Sequence, residues 1–372
     1  MNILFLTYQG DIAGSTNSII YLAKGLAEKG HKIYVGCRKE SLLYRNLKDS
    51  QVRVIAMTFA SKWDSENIKQ IKEAVTKFKI DIINAQSGKD RYTSILAKWK
   101  YQLPVKIVHT RRQVSKSLGG IQSLFYMRGA DKIVAVSHGI EKSLLDKGIS
   151  RNKIEVIYNG TPPEKYEGID LKQMDHLKDK FGIKPGDFVI GCVARIKEQN
   201  QLLQALADLD FKAKVIFAGI EETPEFRRQI QKLDLKHDIF FEGTVDQEMI
   251  LAYYKIFDVK VLPSRMEGLS QALLEAMYLK TPVIATALAG NLDLIRNREN
   301  GLLFQDNNIG ELSSALIAIY HDKELAAQLK IEGYKTAQEF SVKRTVNNFE
   351  YLFESLLYAQ PEPITAAHLS AS

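Results

Sequence analysis

The strongest constraint on this chain is an alternation that runs through it twice. Short apolar runs alternate with amphipathic stretches from Asn2 to Ile157, and again from Phe188 to Phe304. Such alternation specifies a doubly wound parallel sheet: strands covered by helices on both faces carry continuous apolar sequence, and each crossover needs a helix. The first series predicts strands at residues 2–7, 31–38, 52–56, 80–85, 105–109, 132–137 and 153–157, with helices such as 18–29, 65–78 and 93–101. The second predicts strands at 188–194, 213–219, 239–241, 259–263, 282–285 and 301–304, then helices from 309 to 358. A chain of 372 residues exceeds what one hydrophobic core usually serves, so two α/β domains are expected. Pro and Gly clusters at 159–163 and 184–187 flank a charged stretch, 164–181, and mark the crossing. The two Rossmann-like domains are expected to face each other across a cleft, with ligands at the carboxyl ends of the strands.

Composition removes several alternatives. Cys37 and Cys192, the only cysteines, fall in predicted strands of different halves, which excludes a disulfide scaffold and a cysteine-based zinc site. No apolar run reaches the length of a membrane span, and Met1-Asn2-Ile3-Leu4-Phe5-Leu6 lacks the basic region of a signal peptide. A cytoplasmic protein is expected. Charge is uneven: residues 1–160 hold 27 Lys and Arg against 13 Asp and Glu, net +14, and the remainder hold 24 against 31, net −7. A first half this basic suits an anionic partner, such as a membrane surface or a phosphorylated acceptor.

The most informative segment is Leu262-Pro263-Ser264-Arg265-Met266-Glu267-Gly268-Leu269-Ser270-Gln271-Ala272-Leu273-Leu274-Glu275. A strand ends, a tight loop carries Glu267 and Gly268, and a helix begins near Ser270, whose free N–H groups suit phosphate or sugar oxygens. Glu267 and Glu275 are separated by seven residues and can both accept from hydroxyl pairs of one ligand. This segment resembles the E-x7-E motif of retaining glycosyltransferases of family 4, which have the two-domain GT-B fold. The resemblance extends to Val136-Ser137-His138, Val156-Ile157-Tyr158-Asn159-Gly160, Gly191-Cys192-Val193-Ala194-Arg195, Phe217-Ala218-Gly219, Phe241-Glu242-Gly243-Thr244-Val245, Gly290 and Asn300-Gly301-Leu302-Leu303.

The resemblance implies an acceptor-binding domain over 1–163, a nucleotide-sugar domain over 164–340, a helix at 341–358 packing back toward the first domain, and a flexible tail at 359–372. It implies that Glu275 binds ribose hydroxyls and Glu267 the donor sugar. The backbone from Gly268 through Leu269, Ser270 and Gln271 would hold sugar and diphosphate. Gly243 and Val245 would contact the base, Gly219 would line the nucleotide pocket, and Arg195 would neutralise the leaving diphosphate. His109, placed at the end of its strand, would help position the donor sugar. The donor is expected to be a UDP-sugar, with GDP- and ADP-sugars as alternatives, and no metal or further cofactor is required. Asp208-Leu209-Asp210 matches a metal-binding D-x-D signature but lies in a helix-to-strand connection away from the expected cleft, so chance explains it.

Two departures stand out. The family's second cation, five residues past the arginine, is Asn200 here; either Lys197 reaches the phosphates from a shortened loop, or that cation is missing. The family's Gly-Gly loop after the first strand is Ala13-Gly14, followed by Ser15, and Gly14 with Ser15 still suits a phosphate. Residues 89–116 hold eight basic residues against Asp90, with Tyr92, Trp99 and Tyr101 interleaved. Lys98 and Lys100 suit a lipid headgroup boundary. Arg111 and Arg112 suit an acceptor phosphate, with a solvated surface as the alternative. The expected acceptor is a saccharide of the lipopolysaccharide core or another lipid-linked type, and nucleic acid is not expected. Rival readings are a sugar-nucleotide epimerase, which would alter its nucleotide sugar without an acceptor, and a decayed membrane-associated scaffold, which would bind no nucleotide diphosphate.

Overall fold

A computed structural model describes residues 1–11, 14–113, 118–265, 268–288 and 290–358. The chain forms two compact units. Unit 1 comprises Met1–Val136, Ser143–Gly160 and Val342–Ser372, and unit 2 comprises Ser137–Lys142 and Thr161–Ser341.

Unit 1 holds β1 (Asn2–Leu6), β2 (Lys32–Cys37), β3 (Arg53–Ala56), β4 (Ile82–Ala85), β5 (Lys106–Arg111), β6 (Lys132–Ala135) and β7 (Ile154–Val156). They form one parallel sheet in the order β3-β2-β1-β4-β5-β6-β7. Its apolar runs are buried because helices cover both faces: Ile3, Phe5, Val35, Ile82 and Val108 share a core with Val346, Phe349 and Phe353 of the Val342–Leu357 helix. That helix lies close on the Gly14–Glu28 helix, where a Cβ on Gly25 would meet Val346 Cγ2 at 2.5 Å. The Ser65–Phe78 helix shows how local sequence sets the boundaries. Asp64 caps its start by accepting from Asn67 N at 3.0 Å, Lys79 ends it in the left-handed conformation, and Ile68, Ile71, Ala74 and Val75 form its buried stripe.

Unit 2 holds β8 (Phe188–Val193), β9 (Ala213–Ala218), β10 (Asp238–Phe241), β11 (Val259–Leu262), β12 (Val283–Thr286) and β13 (Leu302–Phe304), a parallel sheet in the order β10-β9-β8-β11-β12-β13. Ile190, Val215, Phe217, Val261 and Ile284 pack with Leu202, Leu206, Leu312 and Leu316 from its helices. In each unit the strand order reverses once, between β1 and β4 and between β8 and β11. These are the switch points where adjacent loops diverge and open sheets accept ligands. No helix among the described residues is long and apolar enough to cross a membrane.

Candidate functional site

In unit 2 the loops at the carboxyl ends of β8 to β12 are knitted together by backbone. Gly219 N donates to Gly243 O at 2.7 Å, Gly243 N to Ile220 O at 2.9 Å, and Ala194 N to Ala218 O at 3.0 Å. Gly219 has φ +103 and a Cβ there would stand 2.7 Å from Ala194 O, so both its conformation and its neighbour require glycine. Gly243, at φ +59, is likewise left-handed. Val245 is half-buried beyond it. Beside Gly243, Glu242 pairs with Lys180 and accepts from the Tyr253 hydroxyl at 2.6 Å.

The loops flanking the β8–β11 switch point are joined by Glu198 N donating to Pro263 O at 3.1 Å. Arg195 is exposed just past β8, and Lys197, half-buried, stands two residues before the Gln199–Leu206 helix. Gln199 fixes this tight turn: its Nε2 donates to Arg195 O at 2.9 Å and its Oε1 accepts from Lys197 N at 2.7 Å. Asn200 is inside the helix, with its Oδ1 buried and unpaired. Lys197, half-buried, therefore lies in the turn that Gln199 braces between Arg195 and the helix. Arg265 is no substitute, since it pairs with Asp306 at 2.6 Å and Glu198 at 3.4 Å.

The helix of the motif runs Gln271–Tyr278, with Ser270 as N-cap accepting from Leu273 N at 3.3 Å. Gln271 and Ala272 follow as the first residues of the helix. Leu269 and Ser270 are buried, Gly268 is half-buried, and Glu267 lies with Met266 outside the described residues. Gly290 packs directly on the preceding peptide; a Cβ there would fall 1.3 Å from Gly268 O. Thr286 anchors the same region, its hydroxyl donating to Ser264 O and accepting from Ser264 N.

Glu275, Gln271 and Tyr278 occupy one stripe at helical spacing. Each meets the segment that enters unit 2: the Thr161 hydroxyl donates to Gln271 Oε1 at 2.8 Å, Lys165 pairs with Glu275 Oε1, and Tyr166 stacks on Tyr278 at 3.9 Å. The Glu275 side chain is 12% exposed. Its carboxylate and burial together hold the enclosed Tyr254 phenol well above its ordinary pKa, burial being the larger cause. The sequence reading missed Lys165, Thr161 and Gln199, none of which stands in a motif. The charged stretch around Lys165 was the one signal available.

In unit 1, Gly14 opens the Gly14–Glu28 helix, Ala13 lies outside the described residues, and so does the side chain of Ser15. The preceding loop is braced by Arg38, which donates to Tyr8 O at 2.8 Å and pairs with Asp11 at 2.6 Å. His109 departs from expectation. Strand β5 runs on to Arg111, because Thr110 and Arg111 pair with Val134 and Ala135 of β6. His109 is therefore inside the strand and fully buried, edge-on to Tyr126 at 5.4 Å. Burial, then the Arg111 and Arg91 charges, hold its pKa well below the ordinary histidine value, so the ring is neutral.

The solvated-surface alternative fails for Arg111, which is buried, whereas Arg112 is half-buried. Arg111 is 4% exposed, and Arg112 donates from Nη1 to Gln86 Oε1 at 2.6 Å. Lys98 is paired with Asp131 at 3.0 Å, whereas Lys100 lies over Tyr101. Asp208 and Asp210 are at the opposite end of the unit 2 sheet, engaged by Ser313 and His321, and no metal-holding cluster occurs among the described residues.

The comparisons agree with this geometry. Residues 12–165 match the domain described as Glycosyltransferase Family 4, and residues 173–336 match Glycosyl transferases group 1. The chain is 28% identical over 237 residues to the uncharacterized glycosyltransferase MJ1069 of Methanocaldococcus jannaschii, spanning 61% of this chain and 59% of that relative. It is 25% identical over 331 residues to the putative glycosyltransferase EpsD of Bacillus subtilis, covering 80% of this chain and 83% of that one. Anabaena Alr3699/HepE, solved in complex with UDP, superposes with a TM-score of 0.83 at 21% identity, over 95% of this chain and all of that one. The chain is a glycosyltransferase of the GT-B fold, with a Glycosyltransferase Family 4 domain first and a Glycosyl transferases group 1 domain second.

Proposed function

We propose that this chain moves a sugar from UDP onto a hydroxyl of a lipid-linked or lipopolysaccharide-type saccharide, with retention of anomeric configuration. The observation that carries the donor half is the Gln271–Glu275–Tyr278 stripe of the motif helix, engaged by Thr161, Lys165 and Tyr166. Lys165 engages Glu275 Oε1, and the Glu275 carboxylate accepts from a ribose hydroxyl. The start of the Gln271–Tyr278 helix presents its amide end to the diphosphate oxygens, which accept, and Arg195 with Lys197 neutralises the charge that grows on the diphosphate as the glycosidic bond breaks. Glu267, by its place in the motif, binds and polarises the donor sugar. The departing phosphate receives the acceptor proton, so the reaction needs no covalent sugar intermediate and no metal. UDP is favoured among bases because the Anabaena structure holds UDP.

The acceptor half rests on unit 1. Residues 1–160 carry net +14, and Trp63, Trp99 and Ile121 stand 66%, 46% and 88% exposed on that unit. Basic charge with exposed aromatic and aliphatic side chains suits peripheral binding to the inner face of an anionic membrane, where lipid-linked acceptors reside. The deciding experiment is a thermal-shift screen of UDP-, GDP- and ADP-sugars, followed by product analysis with acceptor present. A ligand at 100 times its Kd stabilises by about 2.7 kcal/mol. Stabilisation by none of them, or release of an altered nucleotide sugar without acceptor, overturns the reading. An inverted anomeric coupling constant in the product overturns retention.

A further inference from the structure

Unit 1 buries more positive charge than it pairs. Arg91 is 8% exposed, Arg111 4% and His109 0%. The neighbouring acid, Asp90, accepts from the amides of Ser87 and Tyr8 at 2.7 and 3.3 Å. Arg91 Nη2 donates to the carbonyls of Gln86 and Thr110, each at 2.7 Å. Gln86 Oε1 takes Arg112 Nη1, and the Arg111 guanidinium lies 4.6 Å over the Tyr126 ring. Four guanidinium nitrogens remain buried without a partner: Nε of Arg91, Nε and Nη2 of Arg111, and Nε of Arg112. Both ring nitrogens of His109 are unpaired as well.

Desolvating guanidinium donors without acceptors is costly, and a fold retains such a group where a ligand completes it. The unpaired atoms of Arg111 are the edge from which a guanidinium makes two parallel bonds to an oxyanion. Burial pushes the pKa of Arg91 and Arg112 down to about 9 and about 10, so both stay cationic at neutral pH. His109 is neutral and adds one donor without adding charge. Arg112 is partly exposed, so the cluster reaches the surface there.

We propose that Arg91, Arg111 and Arg112 form an oxyanion site that takes the terminal phosphate of a phosphorylated acceptor. Three guanidiniums against one acid match a phosphate monoester, with up to two negative charges and three acceptor oxygens, better than a single carboxylate. The assignment to the acceptor rests on the glycosyltransferase reading above, while the anion site itself rests on unit 1 alone.

The test is a calorimetric and thermal-shift titration of the full chain with inorganic phosphate and with glycerol 3-phosphate, against chloride at matched ionic strength. Saturable binding of both is expected, weakened about tenfold or more in Arg111→Met and in Arg112→Gln, with UDP affinity unchanged in each. If neither variant folds, hydrogen exchange of the β5 peptide in the wild-type chain decides: phosphate should slow it and chloride should not. No saturable phosphate binding, or wild-type affinity in both variants, or no local slowing of exchange, overturns the anion site. Binding of inorganic phosphate with exclusion of the ester overturns the acceptor assignment. Loss of UDP binding in the wild-type chain would sink the donor reading and leave the anion result standing.

Discussion

Gly290→Ala tests whether the Gly268–Leu269 peptide holds the donor. A Cβ at Gly290 would stand 1.3 Å from Gly268 O and 2.4 Å from its carbonyl carbon. Even a close C–H···O contact keeps carbon and oxygen about 3.3 Å apart, so the two main chains must separate by about 2 Å. The obstacle is backbone, and no flexible side-chain end can move aside. Gly290 has φ −67, which alanine adopts freely, so the effect is displacement and not backbone strain. Overpacking of this kind costs about 1–3 kcal/mol of stability. Misplacement by 1 Å can cost about 10²-fold in rate, so kcat/KM should fall at least about 10²-fold. Gly301→Ala is the control: its Cβ would meet methyl groups, Val283 Cγ2 at 2.9 Å and Ile295 Cγ2 at 3.0 Å. It should lose comparable stability with UDP affinity intact. Steady-state kinetics, UDP calorimetry and thermal melts separate the two. Wild-type UDP affinity and turnover in Gly290→Ala would refute the placement of donor phosphates on this loop.

Glu275→Ala should weaken UDP binding by about 1.5–3 kcal/mol for each charge-assisted ribose bond lost, and calorimetry that finds unchanged affinity removes Glu275 from the site. Arg195→Ala should lower kcat far more than donor affinity, since it acts on charge that develops in the transition state. Lys197→Ala should do the same more weakly, and a silent Lys197→Ala in single-turnover kinetics defeats the shortened-loop reading. Sedimentation with acidic-lipid vesicles should be strong at low salt and fall as ionic strength rises. Lys100→Glu should reduce it more than Lys98→Ala, because Lys98 already pairs with Asp131. Binding indifferent to salt and to both changes points to a different anchor.

The fold was legible because parallel strands buried on both faces leave an unbroken apolar trace, and the β8-to-β13 runs are found within one or two residues of their predicted bounds. Strand β5 escaped that signal. Thr110 and Arg111 end the apolar run, yet their backbone goes on pairing with β6, since a ladder bond needs only the main chain. The glycines at 219, 243 and 290 stood in the motif series, but the sequence could not say which neighbour each one admits. Charge was the least legible. Lys165 and Glu275 are 110 residues apart, and the three arginines of unit 1 converge from the end of β5 and the Gly88–Tyr101 helix. A charged side chain on paper defaults to solvent, and only the topology reveals which ones the fold encloses. His109, Arg111 and Arg91 are enclosed together, and each carries buried nitrogens without a partner. The oxyanion proposed above would supply the acceptors that those nitrogens lack.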